Sequence, residues 1–189
     1  MILTLLLVAL VIFIGVILYN TLRFKPLPEK AVEIDEVKID SDKAVASLAE
    51  LIKFKTVSNY DPALEDNAEF EKLIDALPSL YPEVFRVCTL TRFPDRGLLF
   101  KWSGKDSSLN PGVLMAHYDV VPVNEELWTH PAFEGEISDG IMWGRGTLDT
   151  KLTVNGILFA ANSLIQKGFT PQRDLYFAFS GGEEVSGMG

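Results

Sequence analysis

The sequence predicts an α/β domain with a mixed, largely parallel sheet flanked by helices, preceded by one transmembrane helix. Three observations carry that prediction. Ile2 to Tyr19 contains no charged residue. Two short apolar runs, Gly112 to Ala116 and Leu175 to Phe179, enclose one long stretch of helical periodicity, the strand-helix-strand order of a parallel α/β unit. Polar residues suited to catalysis follow directly after both runs, at the strand ends where such sheets bind ligands.

At about 1.5 Å of rise per residue, Ile2 to Tyr19 makes a helix of ~27 Å, close to the thickness of a bilayer core. Its Leu, Ile and Val residues surround the axis rather than forming one stripe, which is not the pattern of a helix packed on a core. It leads into Tyr19-Asn20-Thr21-Leu22-Arg23 without a small-residue cleavage site, so residues 1–19 are expected to be an uncleaved single-pass anchor. Arg23, Lys25 and Lys30 all follow the span, and the positive-inside rule would place them in the cytoplasm. Residues 20–39, with Pro26 and Pro28, read as a linker, and a folded domain is expected to start at residue 40.

Asp40 or Ser41 can cap a first helix with Val45, Leu48, Leu51 and Ile52 on its inner face. A second amphipathic helix is expected from Asn67 to Leu77, where Pro78 would end it. Val84 to Leu90 and Gly97 to Trp102 read as strands, and Gly112 to Ala116 as a strand buried on both faces. Within Gly135 to Gly146, Ser138-Asp139-Gly140 marks a turn between two short extended pieces. Val154, Ile157, Leu158, Ala161, Leu164 and Ile165 recur at helical spacing, with Asp149 or Thr150 as the cap and Gly168 as the C-terminal glycine. Leu175 to Phe179 is the second buried strand.

Composition narrows the function. With 189 residues, 48% of them hydrophobic, the chain suffices for one domain plus an appendage. A net charge of −9 disfavours nucleic acid as a partner, because phosphate binding needs a basic face. The single Cys88 allows neither an internal disulfide nor a thiolate metal cluster, and reads as a buried, inert thiol.

Three segments carry the chemistry. His117 emerges at the end of the first buried strand, and Asp119 is near enough to hold the ring nitrogen that a metal would leave free. Asp149 follows the glycine-rich Trp143-Gly144-Arg145-Gly146-Thr147-Leu148 and starts the long helix, where it either caps that helix or bridges cations through its two oxygens. Glu183 and Glu184 begin where the second buried strand ends. Adjacent side chains point in different directions, so one can ligate a metal while the other takes a proton from water. Four carboxylates gathered near one His would repel unless cations neutralised them. The donor set, oxygen with imidazole and no thiolate, suits Zn2+, with Co2+ or Mn2+ as alternatives. Ser180-Gly181-Gly182 lacks the frame of a serine nucleophile elbow, and no phosphate-binding glycine loop precedes a Lys-Ser or Lys-Thr pair.

In order and spacing, Met115-Ala116-His117-Tyr118-Asp119-Val120-Val121-Pro122, Gly144-Arg145-Gly146-Thr147-Leu148-Asp149-Thr150-Lys151 and Gly182-Glu183-Glu184-Val185-Ser186-Gly187 resemble the signature blocks of the co-catalytic zinc family. That family includes aminoacylase, acetylornithine deacetylase, glutamate carboxypeptidase and carboxypeptidase S. The resemblance implies a zinc-exopeptidase catalytic domain holding two Zn2+. His117 would bind one, Asp149 would bridge both and Glu184 would bind the other, while Asp119 orients His117 and Glu183 acts as general base. Thr150 and Gly182 stand where many members carry an acid, and His130 in Trp128-Thr129-His130-Pro131-Ala132-Phe133 is read as structural. The implied reaction is hydrolysis of the amide bond of an N-acyl amino acid, or of a peptide at its C-terminal residue. The substrate would carry a free carboxylate. The blocks and the anchor look most like the branch of carboxypeptidase S and the N-fatty-acyl amino acid hydrolases. A further carboxylate ligand, a distant histidine and a dimerisation domain, through which a homodimer would form, are expected beyond Gly189, so this stretch alone is expected to be inactive. A membrane-tethered, non-catalytic relative acting in binding or assembly is the rival expectation.

Overall fold

The computed structural model describes residues 1–25, 38–94 and 96–186, and the chain divides into two units, Met1–Ile39 and Asp40–Gly189. In the first unit, helix α1 (Ile2–Arg23) runs for 22 residues, is exposed throughout, and is long and apolar enough to cross a membrane. Arg23 Nη1 donates to the Tyr19 hydroxyl at 2.6 Å near its end. Most of the expected linker, Lys30 included, lies outside the described residues.

The second unit begins with α2 (Ser41–Ile52), capped by the Asp40 carboxylate, which accepts from Lys43 N at 3.2 Å. Leu48, Leu51 and Ile52 are buried as expected, but Val45 is exposed and Ser47 points inward instead. The reason is polar: the Ser47 hydroxyl donates to Asn155 Oδ1 at 2.7 Å. Helix α3 (Asn67–Leu80) continues through Pro78 rather than stopping before it. So late in the helix, proline forfeits one backbone bond, while Tyr81 N still donates to Leu77 O at 2.8 Å.

The expected strand over Val84 to Leu90 is mostly helix. Pro82 occupies the first turn of α4 (Pro82–Val87), where its fixed φ suits a helix start, and only β1 (Thr89–Arg92) is extended. β1 joins β2 (Leu98–Trp102) through residues 93–97, a connection too short for a parallel crossover. With β3 (Gly112–His117) and β6 (Leu175–Ser180), these strands form a sheet in the order β1-β2-β6-β3. The sheet is mixed: β3 runs parallel to β6, and the other two pairings are antiparallel. "Largely parallel" therefore holds only for the strand-helix-strand part. The core lies between this sheet and the helices, with Phe100, Trp102, Phe177, Leu158, Phe70 and Leu51 at its centre.

β3 also departs from expectation. Val113, Leu114 and Met115 are 55%, 46% and 73% exposed, because β3 is the sheet's edge among the described residues. The hairpin of β4 (Glu136–Ser138) and β5 (Ile141–Trp143) turns at Asp139 and Gly140, with φ of 53° and 76°, the left-handed pair that a tight hairpin requires. Helix α5 (Lys151–Gln166) crosses from β5 towards β6. It ends at Gly168 (φ 77°), where Phe169 N reaches Leu164 O at 3.0 Å and Gly168 N reaches Ile165 O at 2.8 Å, closing the last carbonyls. Its buried face includes Val154, Leu158, Ala161 and Ile165, but Leu164 is exposed, and the polar Lys151 and Asn155 are buried.

Candidate metal centre

The parallel pairing of β3 with β6 places His117 opposite Ser180. The segments leaving the two strands therefore run side by side, and Tyr118 N donates to Ser180 O at 2.9 Å. From the first comes His117, from the second Glu183 and Glu184, which open the short helix α6 (Glu183–Ser186). Asp149 arrives from a third segment. Gly146 there has φ 89°, and a Cβ on it would stand 2.9 Å from Val120 Cγ1, so only glycine allows the turn to lie against the His117 segment.

His117, Asp149 and Glu184 each present a ligand atom, and these atoms lie within 4.8 Å of one another. His117 Nε2 is 3.1 Å from Asp149 Oδ1 and 3.7 Å from Glu183 Oε2. Asp149 does not cap α5. That position belongs to Thr150, whose hydroxyl pairs with that of Thr153 at 2.6 Å. Burial opposes a charge on His117, but the Asp119 carbonyl, the charges of Asp119 and Glu183, and the hydrogen bond to Asp149 outweigh it, and the imidazole is held above its usual range. Glu184 is also shifted up, by burial first and then by the negative charge of Asp149. An imidazole nitrogen and carboxylate oxygens converging in this way, with Glu184 pushed towards its neutral form, fit a divalent cation.

Asp119 does more than sequence spacing implied. His117 Nδ1 lies 3.1 Å from the Asp119 backbone carbonyl and 3.4 Å from its carboxylate. The carboxylate, wholly buried, accepts Glu183 N at 3.2 Å on Oδ1, and Glu184 N at 3.1 Å and the Ser58 hydroxyl at 2.7 Å on Oδ2. His130 is outside the triangle: it stacks on Trp143 at 4.3 Å, with Nδ1 3.2 Å from Glu136 Oε2.

Sequence reasoning missed Ser58 and Lys151. Lys151 is wholly buried, and its Nζ donates to Leu51 O at 3.0 Å and to Phe54 O at 2.6 Å. It ties the start of α5 to the end of α2, and desolvation pulls its amine down to about 7. A lysine two residues after a candidate ligand was the only signal. Ser58 gave none, since it precedes Asp119 by 61 residues.

Residues 113–189 match the profile of peptidase family M20/M25/M40. A probable carboxypeptidase S-like protein of Dictyostelium discoideum is 37% identical over 188 residues, covering 93% of this chain and 36% of the relative. An N-fatty-acyl-amino acid synthase/hydrolase of Xenopus tropicalis is 32% identical over 188 residues, covering 96% of this chain and 36% of the relative. The chain thus spans about a third of the length of these relatives. Human carnosine dipeptidase 1 shares the fold, with a TM-score of 0.64 at 18% identity over 78% of this chain and 33% of that one.

Proposed function

We propose, from the match of residues 113–189 to peptidase family M20/M25/M40, that the whole protein hydrolyses the amide bond of an N-acyl amino acid or of a peptide at its C-terminal residue. The observation that carries the reading is the convergence of His117, Asp149 and Glu184 within 4.8 Å, with Glu183 beside them. In this reading His117, Asp149 and Glu184 would hold two Zn2+ together with ligands from elsewhere in the protein. Bound metal would polarise the scissile carbonyl and acidify the attacking water.

The chain's own residues account for the rest. Glu183, exposed and 3.7 Å from His117 Nε2, takes a proton from the attacking water and gives it to the departing amine nitrogen. Asp149 and Glu184 bring the negative charge that holds cations, and His117 supplies neutral imidazole while its Nδ1 leans on the Asp119 carbonyl. A substrate with a free carboxylate is consistent with the carboxypeptidase S-like and N-fatty-acyl-amino acid hydrolase names of the relatives. Helix α1 serves as the membrane anchor.

Replacing Glu183 with Gln in the full-length protein tests the proposal. Turnover of N-acyl amino acids and dipeptides should fall by about 10²–10⁴, the usual scale for a lost general base, while zinc content stays at the wild-type level. Unchanged turnover would remove Glu183 from its role.

A further inference from the structure

The Asp119 carboxylate is the point on which the two glutamates depend, and its position is set from a part of the chain outside the family match. That match begins at residue 113. Ser58 lies well upstream, in a short extended piece in which Val57 bridges Val120 in parallel fashion. Val120 N donates to Thr56 O at 2.9 Å, and Ser58 N donates to Val120 O at 3.0 Å. These backbone bonds put the wholly buried Ser58 side chain against Asp119, and its hydroxyl donates to Oδ2 at 2.7 Å, with the Gly181 carbonyl farther off at 3.4 Å.

An isolated carboxylate can rotate about its χ2 bond, which is broad and roughly two-fold. Here both oxygens are engaged: Oδ1 by the Glu183 amide, Oδ2 by the Glu184 amide and Ser58. Of the three donors, the two amides belong to the segment being positioned. Ser58 is the one that comes from a separate element, itself fixed by backbone bonds on both sides of residue 57. It is also the shortest of the three contacts, as expected for a hydroxyl on a carboxylate. We infer that Ser58 is a positioning residue: its hydroxyl fixes the Asp119 carboxylate, which in turn holds the backbone amides of Glu183 and Glu184 and so sets the placement of both acids. The inference rests on the roles proposed for Glu183 and Glu184, but its structural half stands apart from them.

Amide hydrogen exchange at Glu183 and Glu184, followed by NMR on the metal-free full-length protein, tests that half directly. Ser58→Ala should speed exchange at these two amides by about tenfold or more. Ser47→Ala removes a comparably buried hydroxyl from a different network, bonded to Asn155, and should leave both amides at their wild-type rates. Where Ser58→Ala does not fold, Ser58→Cys keeps the shape with a weaker donor and is held to the same criterion. Exchange equal to that of Ser47→Ala overturns the inference. Zinc titration into the same proteins should then show about a tenfold loss of affinity for the Ser58 variant, the lower end of what an outer partner of a metal site costs, and a drop in kcat with KM nearly unchanged. A wild-type protein that neither binds zinc nor turns over substrate would refute the proposed function while leaving the exchange result to decide Ser58.

Discussion

Gly181 precedes Glu183 by two residues, and the structure allows it no side chain. A Cβ there would stand 2.6 Å from the Tyr118 hydroxyl, 2.7 Å from Tyr118 Cζ and 2.8 Å from Arg96 Cβ. Ordinary contact begins at 3.4 Å, so the ring or the loop must retreat by about 0.8 Å. The ring is poorly placed to move: Tyr118 is 1% exposed, meets Phe70 edge-on and donates its hydroxyl to Arg96 O at 2.7 Å. Overpacking of this kind costs about 1–3 kcal/mol, and loss of the tyrosine hydrogen bond adds about 0.5–1.5 kcal/mol. Gly181→Ala should therefore destabilise the protein by about 2–4 kcal/mol. If instead the loop moves and carries Glu183 with it, a shift of this size costs up to about 10² in turnover. The matched comparison is Gly156→Ala in the middle of α5, where a Cβ meets nothing within 4 Å and alanine should stabilise by about 0.5–1 kcal/mol. Urea unfolding of both variants at one pH, read as the midpoint with its slope, decides the matter. If both variants move the midpoint in the same direction, the steric reasoning fails.

Burial pushes the Cys88 thiol from 9.0 up to about 11, which reduces the thiolate at pH 8 about a hundredfold. Iodoacetamide should label it slowly in the native state at pH 8, faster as pH rises towards 11, and fully once urea unfolds the chain; rapid native labelling at pH 8 would contradict this. Asn155 joins three elements, accepting from Ser47 at 2.7 Å and from the Tyr81 hydroxyl at 2.6 Å and donating to Ala44 O at 2.9 Å. Asn155→Leu should strand buried hydroxyls and cost about 2–4 kcal/mol in urea unfolding; a neutral result would show that the hub carries no weight. Removal of residues 1–25 should move the protein from the membrane pellet to the soluble fraction after an alkaline wash, and continued pelleting would argue against α1 as the anchor.

What the sequence made legible was the order of elements bearing an apolar rhythm or a punctuating residue: α2, α5, the β4–β5 turn at Asp139-Gly140, and the strands that end at His117 and Ser180. The errors have physical causes. Hydrophobic periodicity counts apolar residues, so it favoured Val45 and Leu164 and could not see that Ser47, Lys151 and Asn155 turn inward to satisfy one another or a backbone carbonyl. Val84 to Leu90 has strand composition, but Pro82 and the buried Tyr81 start a helical turn there, a case of local geometry overriding propensity. Gly112 to Ala116 reads as a strand buried on both faces because its residues are apolar on both. Whether a neighbour covers them is not a property of the strand itself.

That His117, Asp149 and Glu184 would converge was legible from the three segments that carry them. Their separate duties were not, and the reason lies in how each is solvated. Asp119 and Asp149 look alike in sequence, each a lone acid after a glycine-rich or apolar stretch. In the fold, Asp119 is wholly buried with two amides and a hydroxyl on its oxygens, so it needs no cation to balance it and can act as a fixed support. Asp149 is exposed, stands one residue before the N-cap position of α5, and faces His117 and Glu184, where its charge adds to burial in raising the pKa of Glu184. A carboxylate satisfied by donors is architecture, and one left facing another acid favours a cation between them. That contrast distinguishes a fixed support from a carboxylate free to meet a cation. It also requires that Asp119→Asn disturb the placement of Glu183 and Glu184 with or without metal, whereas Asp149→Asn should leave their backbone amides in place and weaken metal binding.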